Sequence, residues 1–136
     1  MPVEISSTTN NKLQPSKNPH DARGNVGVFG PNLTLAAGTV LGEKTSDGKL
    51  YPYSNAASDG TQTAVSINIY PLRTDAQGNV YWSDSNVPSE LNVPFKTSQV
   101  YEAGTFRKTD LTGWDAAAMA DFGAHEDAHG NVVIPS

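Results

Sequence analysis

Apolar and polar positions alternate with a short period along most of this chain. Across residues 63–72 (TAVSINIYPL), Val65, Ile67 and Ile69 fall on one face and Ala64, Ser66, Asn68 and Tyr70 on the other. That period of two predicts a half-buried strand, and Pro71 ends its pairing or puts it at a sheet edge. Upstream, residues 33–42 (LTLAAGTVLG) offer Leu35, Val40 and Leu41 as core residues around an Ala36-Ala37-Gly38 bend. Asp47-Gly48, lying between residues 39–43 and 49–53, predicts a β-hairpin. A loop over 54–61 with a second Asp-Gly pair follows, then a hairpin loop at 74–79, a short strand at 80–82, a loop at 83–89 and a short strand at 90–95 crossed by Pro94. From Val100 to Thr105 the alternation resumes, and Gly104 marks a bulge or a close backbone approach before Phe106.

Helical spacing occurs once, in Trp114, Ala118, Met119 and Phe122, with Thr112 as its cap, Asp115 three residues on, and Gly123 as its stop. Val132-Val133-Ile134 closes the chain as a strand ended by Pro135. No internal repeat or low-complexity block is read. The pattern predicts a mainly β fold with one short α-helix.

Residues 1–31 break this rhythm. Prolines stand at 2, 15, 19 and 31, and the apolar residues Val3, Ile5, Leu13, Val26, Val28 and Phe29 are isolated among polar ones. Ordering a backbone costs ~1 to 2 kcal/mol per residue, which so sparse an apolar set does not offset alone. The expectation is a flexible N-terminal arm over 1–31 and a compact β-rich domain over 32–136. Val3-Glu4-Ile5 and Val26-Gly27-Val28-Phe29 each have the form of a short strand that adds to an exposed sheet edge of a partner. Val3, Glu4, Ile5, Leu13, Val26, Val28 and Phe29 are therefore the candidate binding residues.

At 136 residues the chain suits one domain. Its 37% hydrophobic and 17% charged content, with many turn residues, favours short strands. The net charge of -5 argues against nucleic acid as a partner, and the absence of cysteine excludes a disulfide framework and thiol chemistry. The first residues lack a basic region followed by an apolar run, and no window reaches membrane-spanning length, so a soluble protein made in the cytosol, with no membrane partner, is expected. From Asp110 onward the chain carries five acidic residues and no Lys or Arg.

One literal catalytic motif is present. His125-Glu126-Asp127-Ala128-His129 matches H-E-x-x-H, which on a helix sets two imidazoles on one face to hold zinc. Gly123 before it and Gly130 after it stop a helix, and the third histidine, His20, lies in the arm, so the segment reads as a polar loop with no metal site. Asp110 with Asp115, and Glu126 with Asp127, have no apolar pocket to tune them as acid and base and read as surface carboxylates. Residues 75–79 resemble a calcium loop only faintly and read as a turn. Tyr51, Tyr53, Tyr70, Tyr81, Trp82, Tyr101, Phe106 and Trp114, spread over several strands, read as core and subunit contacts before they read as a carbohydrate platform. Neither a catalytic residue nor a cofactor is expected.

Taken in order, Ala36-Ala37-Gly38-Thr39-Val40-Leu41, Gly48-Lys49-Leu50, Asp59-Gly60 with Ala64-Val65, and Tyr101-Glu102-Ala103-Gly104-Thr105-Phe106-Arg107 leading to Leu111 and Trp114 resemble the lambda-type phage head decoration, or cement, proteins. Gly104, Thr105, Phe106, Arg107 and Trp114 form the most specific piece. The resemblance implies a compact β-tulip-like domain that forms a homotrimer at three-fold and quasi-three-fold sites of the expanded head. It also implies an arm that orders on the major capsid protein, a place on the outer surface of the virion, and no catalytic role. Residues 71–97 are longer than in compact members, and the His125–His129 segment has no counterpart. Deleting residues 1–25 is then expected to leave a soluble trimer that no longer binds heads. A tail or fibre module touching a host surface, a small zinc hydrolase and a monomeric carbohydrate-binding domain are the alternatives.

Overall fold

The computed structural model describes residues 12–16, 22–82 and 94–135. Among the described residues, ten strands and one α-helix follow one another as β1 (Arg23–Gly27), β2 (Thr34–Leu35), β3 (Val40–Glu43), β4 (Leu50–Pro52), β5 (Ala64–Asn68), β6 (Leu72–Thr74), β7 (Val80–Trp82), β8 (Ser98–Arg107), α1 (Ala116–Phe122), β9 (His125–Glu126) and β10 (Asn131–Ile134), with a 3-10 turn at Lys108–Asp110 after β8. The protein is thus mainly β with a single short α-helix. The larger sheet runs β4-β3-β5-β8-β10-β9, with β1 also paired to β8, and β2-β6-β7 form a small second sheet. The Asp47-Gly48 hairpin forms as its turn chemistry predicts, pairing Leu41 with Pro52 and Glu43 with Leu50.

Phe29 lies where the two sheets meet. It is fully buried among Leu41, Leu50 and Val100 of the large sheet and Leu35, Leu72 and Val80 of the small one. On the other side, Leu13, Ile67, Ala103, Phe106, Val132 and Ile134 pack together, with Trp114 and Phe122 against them. Val40, Tyr53 and Ala64 receive Ala118 of α1. This layering corrects the expectation for β5: Val65 is 38% exposed, whereas Ala64, Ser66, Ile67 and Asn68 are all buried. The strand is central, between β3 and β8, and is covered on both faces, so simple alternation does not separate inside from outside.

Parts of residues 1–31 pack on the rest of the protein. Leu13 is 3% exposed, its N–H donates to the Ile69 carbonyl at 2.7 Å, and the Ser16 N–H donates to the Thr105 carbonyl at 2.8 Å. Residues 23–27 are a strand on β8. Leu13 and Phe29 thus gain burial from distant parts of the chain and need no local cluster of their own.

A repeat emerges as well, contrary to the sequence expectation. The hexapeptide Asp-Ala-x-Gly-Asn-Val stands at residues 21–26, 75–80 and 127–132. The second copy turns the chain between β6 and β7, the third between β9 and β10. The third copy overlaps the H-E-x-x-H match, whose His125 and Glu126 are strand residues paired with Val133 and Val132. The helix that the zinc motif requires is not formed there.

Candidate interaction surface

Each part of the Gly104-Thr105-Phe106-Arg107 corner has a local reason. Ala103 and Phe106 both enter the cluster around Ile67, although residues three apart in a regular strand face opposite ways. Gly104, at φ 141°, shifts the alternation between them, and a Cβ there would lie 2.8 Å from Cζ of the Phe106 ring. Thr105 and Arg107 pair with Val133 and Asn131 of β10. The corner is therefore scaffold, with Phe106 wholly buried and Arg107 exposed.

Trp114 precedes the helix and stacks on Phe122 at 5.7 Å with an 11° interplanar angle. The cap of α1 is Asp115, where Thr112 was expected, because the Asp115 carboxylate is placed to accept the Ala118 N–H at 2.8 Å. Thr112 instead bridges Thr39, its carbonyl accepting the Val40 N–H at 2.9 Å. Gly123 ends the helix as expected. Asp115 also accepts the Tyr53 hydroxyl at 2.7 Å, and Asp121 accepts the Ala64 N–H at 2.8 Å. Two of the acidic residues of the C-terminal third thus fasten α1 to the sheet, and Glu126 pairs with Lys108 at 3.2 Å.

These bonds set the titration behaviour. The Ala118 N–H, then the Tyr53 hydroxyl, hold the Asp115 carboxyl below its ordinary value. Burial, then the Asp115 carboxylate, pushes the Tyr53 phenol up to about 12, and the Asp47 carboxylate does the same for Tyr51. Asp115 therefore contributes stability that is present above the unfolded carboxyl value of about 4 and lost as pH falls through its lower folded value. Tyr53 and Tyr51 contribute stability that is present below pH ~10 and lost as pH rises from there towards their folded values. A thermal-unfolding series should show Tm falling at both ends. In Tyr53→Phe the alkaline decline should become shallower.

Asp115→Ala should cost about 1 to 2 kcal/mol in urea unfolding, through loss of the cap.

Of the candidate binding residues, Val3, Glu4 and Ile5 lie outside the described residues. Leu13 and Phe29 are core residues with no side-chain surface to offer a partner, the physical reason being the clusters that enclose them. Val26 and Val28 remain, at 61% and 47% exposure. They share a shallow groove of about 270 Å³ with Val65, Leu50 and Val100, rimmed by Glu43 and Glu102. Beyond Val26 the surface continues over a second groove lined by Tyr70, Trp82 and Phe95. Trp82 stacks on Phe95 at 4.5 Å and meets Tyr70 at 5.7 Å. Val26, Val28, Val65 and Phe95 are the large apolar side chains recorded as exposed among the described residues. All four line these two grooves, which meet at Val26.

Sequence reasoning missed Val65, which it set with Ile67 and Ile69 on the apolar face of a half-buried strand, and Phe95, which it left in a proline-crossed strand. Phe95 is joined to Val80 by two backbone hydrogen bonds, while residues 90–93 of that strand lie outside the described residues. The other aromatics divide. Tyr53 and Phe106 are core, Tyr101 packs on Phe106 at 5.2 Å, and Tyr51 and Tyr81 lie under Lys44 and Arg73. The described residues contain no cluster of three or more metal-ligating side chains and no helix long and apolar enough to cross a membrane. What this surface provides is an apolar face beside an edge strand, suited to docking.

The family model described as bacteriophage lambda head decoration protein D matches residues 4–129. Neither the curated proteins nor the solved structures gave a match.

Proposed function

From the premise that this chain belongs to the bacteriophage lambda head decoration protein D family, we propose that it binds as a homotrimer at three-fold and quasi-three-fold sites of the expanded head. There it holds the shell against internal DNA pressure. The family assignment itself makes it a phage head decoration protein, a structural component of the capsid surface. The match over residues 4–129 carries the reading, since it spans every described element up to β9.

The partner is the major capsid protein. Residues 1–11, with Val3, Glu4 and Ile5, reach it as an extended strand, and Val26 and Val28 supply apolar contact from the packed body. A trimer engages several shell subunits together, so modest contacts per subunit gain strength through effective concentration. No step of this role needs a catalytic group, a metal or a cofactor. Synthesis takes place in the host cytoplasm before assembly on the finished shell.

Light scattering on the purified chain tests the assembly: the expected mass is three times 14.4 kDa. A monomer at micromolar concentration that stays monomeric when heads are supplied would overturn the trimer. Undecorated, DNA-filled heads should survive a higher temperature once the protein is added. Unchanged head melting would remove the stabilising role.

A further inference from the structure

The groove between Val26 and Val65 carries polar groups that its apolar lining does not explain. Opposite Leu41 and Gly42 of β3, strand β5 holds one residue too many: Leu41 pairs with Ser66 and Gly42 with Ala64, so Val65 has no partner on β3. A bulge of this kind bends its strand and re-aims the side chains. Val65 and Ser66, neighbours that a regular strand would send to opposite faces, accordingly both line the groove. Val65 is exposed, whereas Ser66 is buried and its hydroxyl has no hydrogen-bond partner. A buried polar group left unpaired costs free energy and is uncommon in a native fold.

Two carboxylates stand at the rim of the same groove. Glu102 takes Arg23 at 3.3 Å on one oxygen and the Asn25 side-chain amide at 3.1 Å on the other, and each carboxylate oxygen has room for a further donor. Glu43 takes no ion pair or side-chain hydrogen bond among the described residues. Apolar walls that lead to a set of acceptors suit an aliphatic stem ending in a cation. The acceptors here, one hydroxyl and two separate carboxylates, match the three donors of an ammonium better than the flat fork of a guanidinium. Most of the chain's own cations are engaged elsewhere: Lys44 and Arg73 lie over Tyr51 and Tyr81, Lys96 is bonded to Asn79 and Lys108 to Glu126. The cation therefore comes from outside the chain.

We propose that this groove is a receptor for a lysine side chain of the major capsid protein. The stem lies against Val26, Val28 and Val65, and the ammonium donates to Glu43, Glu102 and the Ser66 hydroxyl. The identity of the partner rests on the decoration reading. The lysine site itself does not.

A titration of the full-length protein with the blocked tripeptide Val-Lys-Val, followed by amide NMR, tests the site. The signals of Glu43, Ser66 and Glu102 should shift saturably, with a Kd on the order of 1 mM, and the same peptide with norleucine for lysine should leave them in place. Ser66→Ala removes no hydrogen bond of the free protein, so its Tm should be unchanged or higher, yet its affinity for the lysine peptide should fall about tenfold. Glu43→Gln should weaken the peptide by a similar factor, and should weaken binding to expanded heads about tenfold while the mass in solution stays that of the parent. No shift with the lysine peptide, or equal shifts with the norleucine peptide, overturns the site. A Glu43→Gln chain that binds heads as the parent does, or whose mass falls because a second copy had filled the groove, overturns the partner. Peptide binding by a parent chain that ignores heads would instead remove the decoration reading and leave the lysine site standing.

Discussion

Phe106→Ala lowers the stability of the protein by about 3 to 5 kcal/mol, the range for a wholly buried phenylalanine. The ring is held by Leu13 from the N-terminal segment, Ile67 of β5, Val132 and Ile134 of β10, and fills the space where a Cβ on Gly104 would stand. These belong to parts of the chain far apart in sequence, so the surroundings cannot close over the void by moving one loop. Each kcal/mol is worth several degrees in a chain of this size, so Tm should fall by more than ~10 °C. Arg107→Ala next door, exposed, should stay within about 0.5 kcal/mol of the parent. A loss below about 1 kcal/mol for Phe106→Ala would show that the ring is not the centre of this cluster.

Truncation separates the binding segment from the folded body, and the structure moves the place to cut. Deleting residues 2–25 removes Leu13 and Ser16, whose backbone bonds reach Ile69 and Thr105, together with three of the five residues of β1. The loss of Leu13 burial alone is worth about 2 to 5 kcal/mol. The expected result is a protein that melts early or aggregates, contrary to the soluble trimer expected from sequence. Deleting residues 2–11 removes none of the described contacts. Keeping Leu13, Ser16 and β1, it should stay folded, while its affinity for heads falls about a hundredfold or more as several arm contacts are lost at once. Head binding by the shorter truncation at full strength would move the docking role to Val26, Val28 and the aromatic row.

Local chemistry was legible where the cause is local. Asp47-Gly48 supplies its own turn, Gly123 its own helix stop, and Gly104 its own close approach to Phe106. The β-rich class with one helix followed from the same signals. Leu13 was not legible as core because it is a single apolar residue in a polar stretch, buried by residues that arrive from 54 to 121 positions away, and Phe29 because it is enclosed by two sheets whose meeting place the spacing does not show. Val65 was not legible as exposed, since β5 is otherwise buried on both faces and the alternation that selects a buried side has no such meaning there. The cap of α1 went to Asp115 because its carboxylate serves both the Ala118 N–H and the Tyr53 hydroxyl, a tertiary partner that spacing does not reveal. The repeated hexapeptide was visible in the letters, but its copies are spaced 54 and 52 residues apart and serve two conformations.

Co-sedimentation of the purified full-length chain with undecorated phage heads, expanded and unexpanded in parallel, tests the central claim most directly. The account predicts saturable binding to expanded heads, in multiples of three copies per site, and none to unexpanded ones. Equal binding to both, or none to expanded heads, would contradict it.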